Sequence, residues 1–321
     1  MLRLGIIGLG YIGNVHARIF ARDPRVEVAA HYDIIHDRAV AASKVVGGKV
    51  CSSREELLAN CDAVLVCTPN RTHSEIASHA VAEGKHVFCE KPFSIGIDDA
   101  RKLLDIANSS DRVFQVGHNR RYAPVYVKLR ELLAADRAHS AHIKMNRGEL
   151  KNPVWTGDVG VTGGFLYETT IHLFDMARYQ FGEIEELVAY GSQHEYPELD
   201  EFSILFKFKS GFHCTFASSS DASWHFPFER VEVFAHHRTI MTEEMERLID
   251  SRGENADFET FSFAMTEKEE RWGYVQEDRA FVDAILNGTE PPVTALDGYK
   301  SVELVEAVYN AIKSGEKVRF D

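Results

Sequence analysis

"RLGIIGLGYIG", residues 3–13, joins a short apolar run to a glycine-rich turn, and the reading of that junction decides the fold. Gly8, Gly10 and Gly13 stand in G-x-G-x-x-G spacing directly after the run and at the start of a helical pattern. In a strand–turn–helix context the first glycine makes the tight turn, the second lets backbone approach a pyrophosphate, and the third lets helix pack on strand. The helix N-terminus adds N–H groups and a positive dipole end, so Gly8, Gly10, Tyr11, Ile12 and Gly13 are the candidate phosphate cradle. The next strand candidate, "VEVAAHYD", ends at Asp33, 20 residues beyond Gly13. An acidic side chain there accepts hydrogen bonds from both hydroxyls of an adenosine ribose. No Lys or Arg follows immediately, and an anion repels a 2′-phosphate, so NAD is expected in preference to NADP. His36 and Arg38, close by, temper that preference.

From this junction to about residue 118, apolar runs alternate with helical patterns. "AVLVC", "HVFC" and "RVFQVG" read as further strands, separated by helices such as "THSEIASHAVAEG" and "IDDARKLLDIANSS". Runs apolar on both faces are parallel strands covered by helices on both sides, which is a doubly wound α/β domain. After about residue 122 longer alternating strands take over. In "EFSILFKFKSGFHCTFASSS", Phe202, Ile204, Phe206 and Phe208 share one face, Ser203, Leu205, Lys207 and Lys209 the other, and the break near Ser210 and Gly211 predicts an antiparallel pair. Helices are expected in "YAPVYVKLRELLAA", "LYETTIHLFDMARYQF", "YVQEDRAFVDAIL" and "ALDGYKSVELVEAVYNAIKSG". The change of pattern predicts two domains, 1–121 and 122–321.

Composition agrees. The 321 residues exceed the roughly 250–300 at which one hydrophobic core stops growing. A net charge of -13 with scattered Lys and Arg argues against nucleic acid or an anionic membrane and for a small-molecule partner. No apolar run approaches the roughly 20 residues of a membrane span, and "MLRLGIIGLG" enters a strand directly instead of forming a signal peptide. A cytoplasmic protein is expected. Cys51, Cys61, Cys67, Cys89 and Cys214 lack CxxC spacing and read as reduced structural thiols. The histidines of "HSAH", 139–142, point to opposite faces of a strand, so no metal site is expected.

Two further stretches carry chemistry. "EKPF", residues 90–93, follows the "HVFC" strand, at the carboxyl edge where ligands of an open α/β sheet sit. A surface ion pair between neighbours is the plain alternative, worth little to stability. Pro92 favours a site, because it fixes the backbone where a flexible ammonium must be aimed. In "ETTIHLFD", read as a helix, Glu168, His172, Asp175 and Tyr179 fall within roughly a 60° stripe on an otherwise apolar element. Ionisable groups there need either partners or a purpose.

The glycine loop, "CTPNRTHSEIASHAVAEGKHVFCEKP" and "GGFLYETTIHLFD" together resemble the Gfo/Idh/MocA oxidoreductases, the glucose–fructose oxidoreductase and inositol dehydrogenase group, over nearly the whole chain. The resemblance implies a Rossmann domain, then a substrate-binding and oligomerisation α/β domain on an open, largely antiparallel sheet, with NAD(P) between them. It implies that Lys91 contacts substrate and nicotinamide, often across a cis Lys-Pro bond, and that Thr68, Pro69, Asn70, His73 and Glu90 belong with the cofactor site. His172 matches the histidine of the family's Asp-x-x-x-His pattern, the usual group for proton transfer. Glu168 replaces the aspartate, one methylene longer, and Thr170 stands where glycine is common; these departures bear on the substrate more than on the chemistry.

The expected reaction is NAD-dependent oxidation of a secondary alcohol of a sugar, inositol-like cyclic polyol or sugar derivative. His172 or Lys91 takes the proton, Lys91 steadies the alkoxide, and Glu168 orients the imidazole or binds a hydroxyl. Asn119, Arg120, Arg147, Asn152 and Trp155 are candidates for the substrate rim. Two other readings stay open: an NAD-dependent glycoside hydrolase of the same family, and a non-catalytic dinucleotide-binding regulator. A homodimer or homotetramer is expected by resemblance.

Overall fold

Five of the apolar stretches in the first 118 residues, with the short Lys49–Val50, form six parallel strands: β1 (Leu2–Ile7), β2 (Val26–Tyr32), β3 (Lys49–Val50), β4 (Ala63–Val66), β5 (His86–Glu90) and β6 (Phe114–Gly117). The computed structural model describes residues 1–151, 153–224, 228–254 and 257–320. The strand order is β3-β2-β1-β4-β5-β6. The chain order reverses between β1 and β4, which opens a crevice at their carboxyl ends, where a doubly wound sheet takes its ligand. Helices Tyr11–Phe20, His36–Val46, His73–Ala82 and Ile97–Asn108 make the crossovers. All four residues of β4 are buried, as a strand covered on both faces requires.

The chain divides into two compact units, and the first, Met1–His118, also takes in Tyr274–Val302. The cause is apolar burial. Helix Tyr274–Asn287 sinks Phe281 and Val282 into the cluster of Leu4, Ile6, Leu65 and Phe88, with the Phe281 ring edge-on to Phe88 at 5.6 Å. An amphipathic helix does not state in its own sequence which sheet it will cover.

The second unit, Asn119–Gly273 with Glu303–Asp321, is built on nine strands. They are β7 (Ser140–Asn146), β8 (Ile184–Ser192), β9 (Glu201–Phe208), β10 (His213–Ser219), β11 (Glu229–Ala235), β12 (Arg238–Glu243), β13 (Arg247–Arg252), β14 (Asp257–Ser262) and β15 (Val318–Arg319). Their order is β14-β13-β12-β11-β7-β10-β9-β8-β15, antiparallel except where β7 and β10 pair. The alternation of β9 appears as expected: Phe202, Ile204, Phe206 and Phe208 are buried, Ser203, Leu205 and Lys207 exposed. Helix Ile171–Phe181 covers the buried face, Phe174 lying 5.6 Å from the Phe206 ring and 5.1 Å from Phe216. The other face leaves Leu205 and Tyr190 in the open.

The helix expected to run unbroken from Leu166 begins instead with a π-turn, Leu166–Thr170, before the regular stretch Ile171–Phe181. Side-chain bonds to other elements hold the wide turn: Tyr167 donates its hydroxyl proton to Glu306, and Thr170 shares a hydrogen bond with Ser218 of β10. All five cysteines are buried and free of disulfides. No helix among the described residues is long and apolar enough to cross a membrane.

Candidate active site

The three glycines of the loop do different work. Gly8 has φ +91°, and a Cβ there would lie 2.5 Å from the Cys67 carbonyl oxygen; a Cβ on Gly13 would lie 2.0 Å from the Gly8 oxygen. Both exist for chain-to-chain approach. A Cβ on Gly10 meets nothing within 4 Å, so this glycine faces open space at the start of helix Tyr11–Phe20, whose N-terminus no side chain caps. The residues present therefore fit a pyrophosphate, whose oxygens need close backbone and uncrowded N–H groups.

Asp33 follows β2 and is tied to the same loop. Its Oδ2 accepts the Leu9 N–H at 2.7 Å and its Oδ1 the Ile35 N–H at 2.8 Å. A carboxylate has about four lone-pair positions, so capacity remains for ribose hydroxyls. Its neighbour Ile34 is 90% exposed and carries no charge.

Thr68 and Pro69 follow β4, and Asn70 opens a short 3-10 turn with its side chain buried. His73 joins this loop to the next one, with Nε2 2.7 Å from the Thr68 carbonyl and Nδ1 2.8 Å from that of Pro92. Burial pulls the His73 pKa below its ordinary value, although both carbonyls favour the charged ring. The Lys91-Pro92 bond is cis. Glu90 turns inward: Oε1 meets His16 Nε2 at 2.9 Å, and Oε2 accepts the Lys91 N–H at 3.1 Å. Burial pushes Glu90 up, but His16 and Lys91 outweigh it and hold the carboxyl below its usual range.

In the second unit, Gly163 and Gly164 (φ +81° and +104°) turn the chain into the π-turn that carries Glu168. π-turns recur at functional sites, where the widened backbone re-aims a side chain. Glu168 and His172 are half-buried. The rest of the predicted stripe is structural: Asp175 is fully buried on Arg121, whose guanidinium lies 5.2 Å from the Tyr179 ring centre.

The rim candidates also separate. Arg120 pairs with Glu229 at 2.9 Å and stacks 4.7 Å from Trp272, while Asn119 donates to the Trp272 carbonyl at 2.8 Å; both are buried and engaged in packing. Arg147 is half-buried over Phe228, and burial lowers its pKa against the pull of Tyr196 and Glu168. Trp155 is 37% exposed on a 3-10 turn. Asn152 lies outside the described residues.

Three residues at these sites carried no signal that was read. Tyr196 accepts the Leu150 N–H at 2.7 Å and lines a closed cleft with Glu168. Glu90 and Asp278 converge on His16 in the first unit. A histidine among Val15, Ala17 and Phe20 on the buried side of a helix was the available clue to His16.

Residues 2–118 match the oxidoreductase family with an NAD-binding Rossmann fold, and residues 136–320 match the same family's C-terminal α/β domain. The chain belongs to the Gfo/Idh/MocA oxidoreductase family. A curated relative in this Gfo/Idh/MocA group, the myo-inositol 2-dehydrogenase of Thermotoga maritima, is 29% identical over 334 residues, which cover 100% of this chain and 99% of the relative. The inositol 2-dehydrogenase of Rhizobium meliloti is 27% identical, covering 99% of this chain and 98% of its own. A solved structure described as GenD2 from gentamicin A biosynthesis in complex with NAD superimposes with TM-score 0.87 at 26% identity, over 100% of this chain and 96% of the other.

Proposed function

We propose that this Gfo/Idh/MocA protein is an NAD-dependent dehydrogenase oxidising a secondary alcohol of an inositol-like cyclic polyol, a sugar or a sugar derivative. The observation that carries the reading is the likeness to two inositol 2-dehydrogenases, which runs through both domains instead of stopping at the nucleotide fold. Asp33, held beside the glycine loop and followed by exposed, uncharged Ile34, supports NAD over NADP.

Bound NAD supplies the hydride acceptor. His172 takes the hydroxyl proton; imidazole, with an ordinary pKa near neutrality, is suited to holding and releasing it. Lys91 donates a hydrogen bond to the reacting oxygen and steadies the negative charge that grows there as the carbon-bound hydrogen leaves with its electron pair and the C–O bond becomes a carbonyl. Glu168, four residues before His172, orients the imidazole or receives a substrate hydroxyl. Arg147 and Trp155 serve the rim, as a cation and an apolar plate for a polyhydroxylated ring. Turnover of inositols and sugars with NAD, followed by nicotinamide absorbance, tests this reading: reduction is expected with NAD at concentrations where NADP gives little.

The open face of the second sheet, with Leu205 and Tyr190 uncovered among Lys144, Arg230 and Glu232, supports self-association into a dimer or tetramer. Light scattering should give a mass at least twice that of one chain; a monomer would sink the assignment.

A further inference from the structure

Beneath the Glu90-Lys91-Pro92 segment, inside the first unit, four ionisable side chains share an interior closed to water: His16, Glu90, Glu277 and Asp278. His16 lies one turn into the helix that follows the glycine loop. Its Nε2 is 2.9 Å from Glu90 Oε1 and its Nδ1 is 2.7 Å from Asp278 Oδ1. The other Glu90 oxygen accepts the Lys91 N–H at 3.1 Å. An unbroken chain of contacts therefore runs from Asp278 through His16 and Glu90 to the Lys91 backbone.

We propose that His16 and Asp278 are positioning residues for Lys91: gripped between two carboxylates, the His16 ring holds Glu90 beneath the Lys91 backbone and so fixes where the lysine is aimed. The inference rests on the reading that Lys91 serves the reacting oxygen.

The protonation state follows from the geometry. Ionised carboxylates only accept hydrogen bonds, and both ring nitrogens face carboxylate oxygens, so both must donate; only the imidazolium has two N–H groups. Burial works against a charged ring, yet Asp278 and Glu90 outweigh it and hold His16 well above its ordinary value. Burial also pushes Asp278 up to about 6, against the pull of His16.

Further groups face this cluster. Tyr274 and Glu277 lie on the helix of Asp278, the Tyr274 ring edge-on to His16 at 5.6 Å. His73 is engaged with the carbonyls of Thr68 and Pro92. Cys67 and Cys89 are kept as neutral thiols by burial, and Lys91 itself completes the set. His16, Glu90 and Glu277 have the spacing of a metal-holding group. His16 and Glu90 nevertheless meet each other at hydrogen-bond length, and the second ring nitrogen is taken by Asp278. The two contacts lock the ring against rotation and make Glu90 a fixed ledge.

The test uses the full chain in three forms, wild type, Asp278→Asn and His16→Gln, with melting temperature as the check on folding. Nitrogen NMR of histidine-labelled protein, with the His16 signals identified by their loss in His16→Gln, should show both ring nitrogens protonated in the wild type at about pH 8, and one protonated in Asp278→Asn. Acetylation of Lys91 by an amine-directed ester, followed by mass spectrometry, should change in rate several-fold in both variants, while exposed Lys102 keeps its rate. kcat with an oxidised polyol should fall about 10- to 100-fold, the cost of a misaimed group, with KM for NAD little changed.

A neutral His16 ring in the wild type at that pH would overturn the proposal, as would an unchanged Lys91 acetylation rate in folded variants. Where neither variant folds, through-space contacts to the Phe88 and Tyr274 rings identify the His16 signals, and the wild-type ring state still decides. Acetylation needs no turnover, so it gives its answer even if no polyol is oxidised. Polyol oxidation with Lys91 acetylation unaltered would leave the dehydrogenase standing and remove the positioning role.

Discussion

Arg121 holds Asp175 through two hydrogen bonds, 2.8 Å from Nε and 2.6 Å from Nη2, and so gives the helix of His172 a structural anchor one turn beyond the histidine. Asp175 is wholly buried, so replacing it by Ala strands a guanidinium in the interior. Asp175→Ala should lose about 3–5 kcal/mol in denaturant unfolding, while calorimetric NAD binding in the folded fraction stays near wild type. A loss under about 1 kcal/mol would mean that water reaches the pair.

Gly10 and Gly13 separate binding from folding. Gly10→Ala places a methyl group in the open space at the helix start, so NAD affinity should fall about tenfold or more with little change in melting temperature. Gly13→Ala drives the same methyl against the Gly8 carbonyl and should lower the melting temperature before any nucleotide is added. The same response from both variants would contradict the division of labour.

Asp33→Ser should weaken NAD binding by about tenfold and bring the NAD and NADP dissociation constants closer together. The repelling charge goes, and one ribose acceptor with it. Calorimetry with both nucleotides measures this, and a variant that keeps the wild-type ratio would remove Asp33 from the discrimination.

Glu198 provides a test by pH. Burial raises its carboxyl from 4.5 to about 7, against the hydrogen bond from the Phe165 N–H and with Asp200 adding to the rise. Folding therefore favours the protonated form; that contribution is fully present below about pH 4.5 and is lost as pH rises through about 7. Glu198→Gln should be more stable than the wild type above neutrality, by on the order of 1 kcal/mol after allowance for solvent screening. The gain should vanish in acid. Equal stability of the two proteins across the range would mean that the carboxylate is well solvated.

What could be read directly from the sequence was whatever is encoded locally. The strand-to-helix junction at Gly8–Gly13 and the alternation of Phe202, Ile204, Phe206 and Phe208 depend on neighbours in the chain, and both appear as expected. The π-turn does not, because Glu306 and Ser218, which hold Tyr167 and Thr170, come from other elements. The stripe of Glu168, His172, Asp175 and Tyr179 showed that four polar groups needed partners or a purpose, but only the position of Arg121 distinguishes the structural pair. His16 and Asp278 are 262 residues apart, and the helix that joins them could have been assigned to either unit on its amphipathic pattern alone.

The most direct measurement is nicotinamide reduction by the wild type and by Lys91→Met, each with NAD and a panel of inositols, aldoses and sugar acids, after calorimetry has shown that both bind NAD. The expected result is reduction by the wild type with at least one cyclic polyol or sugar and a kcat lower by about 100-fold or more in Lys91→Met. Undiminished turnover in the variant would contradict the role of Lys91, and NAD binding without reduction across the whole panel would contradict the polyol dehydrogenase.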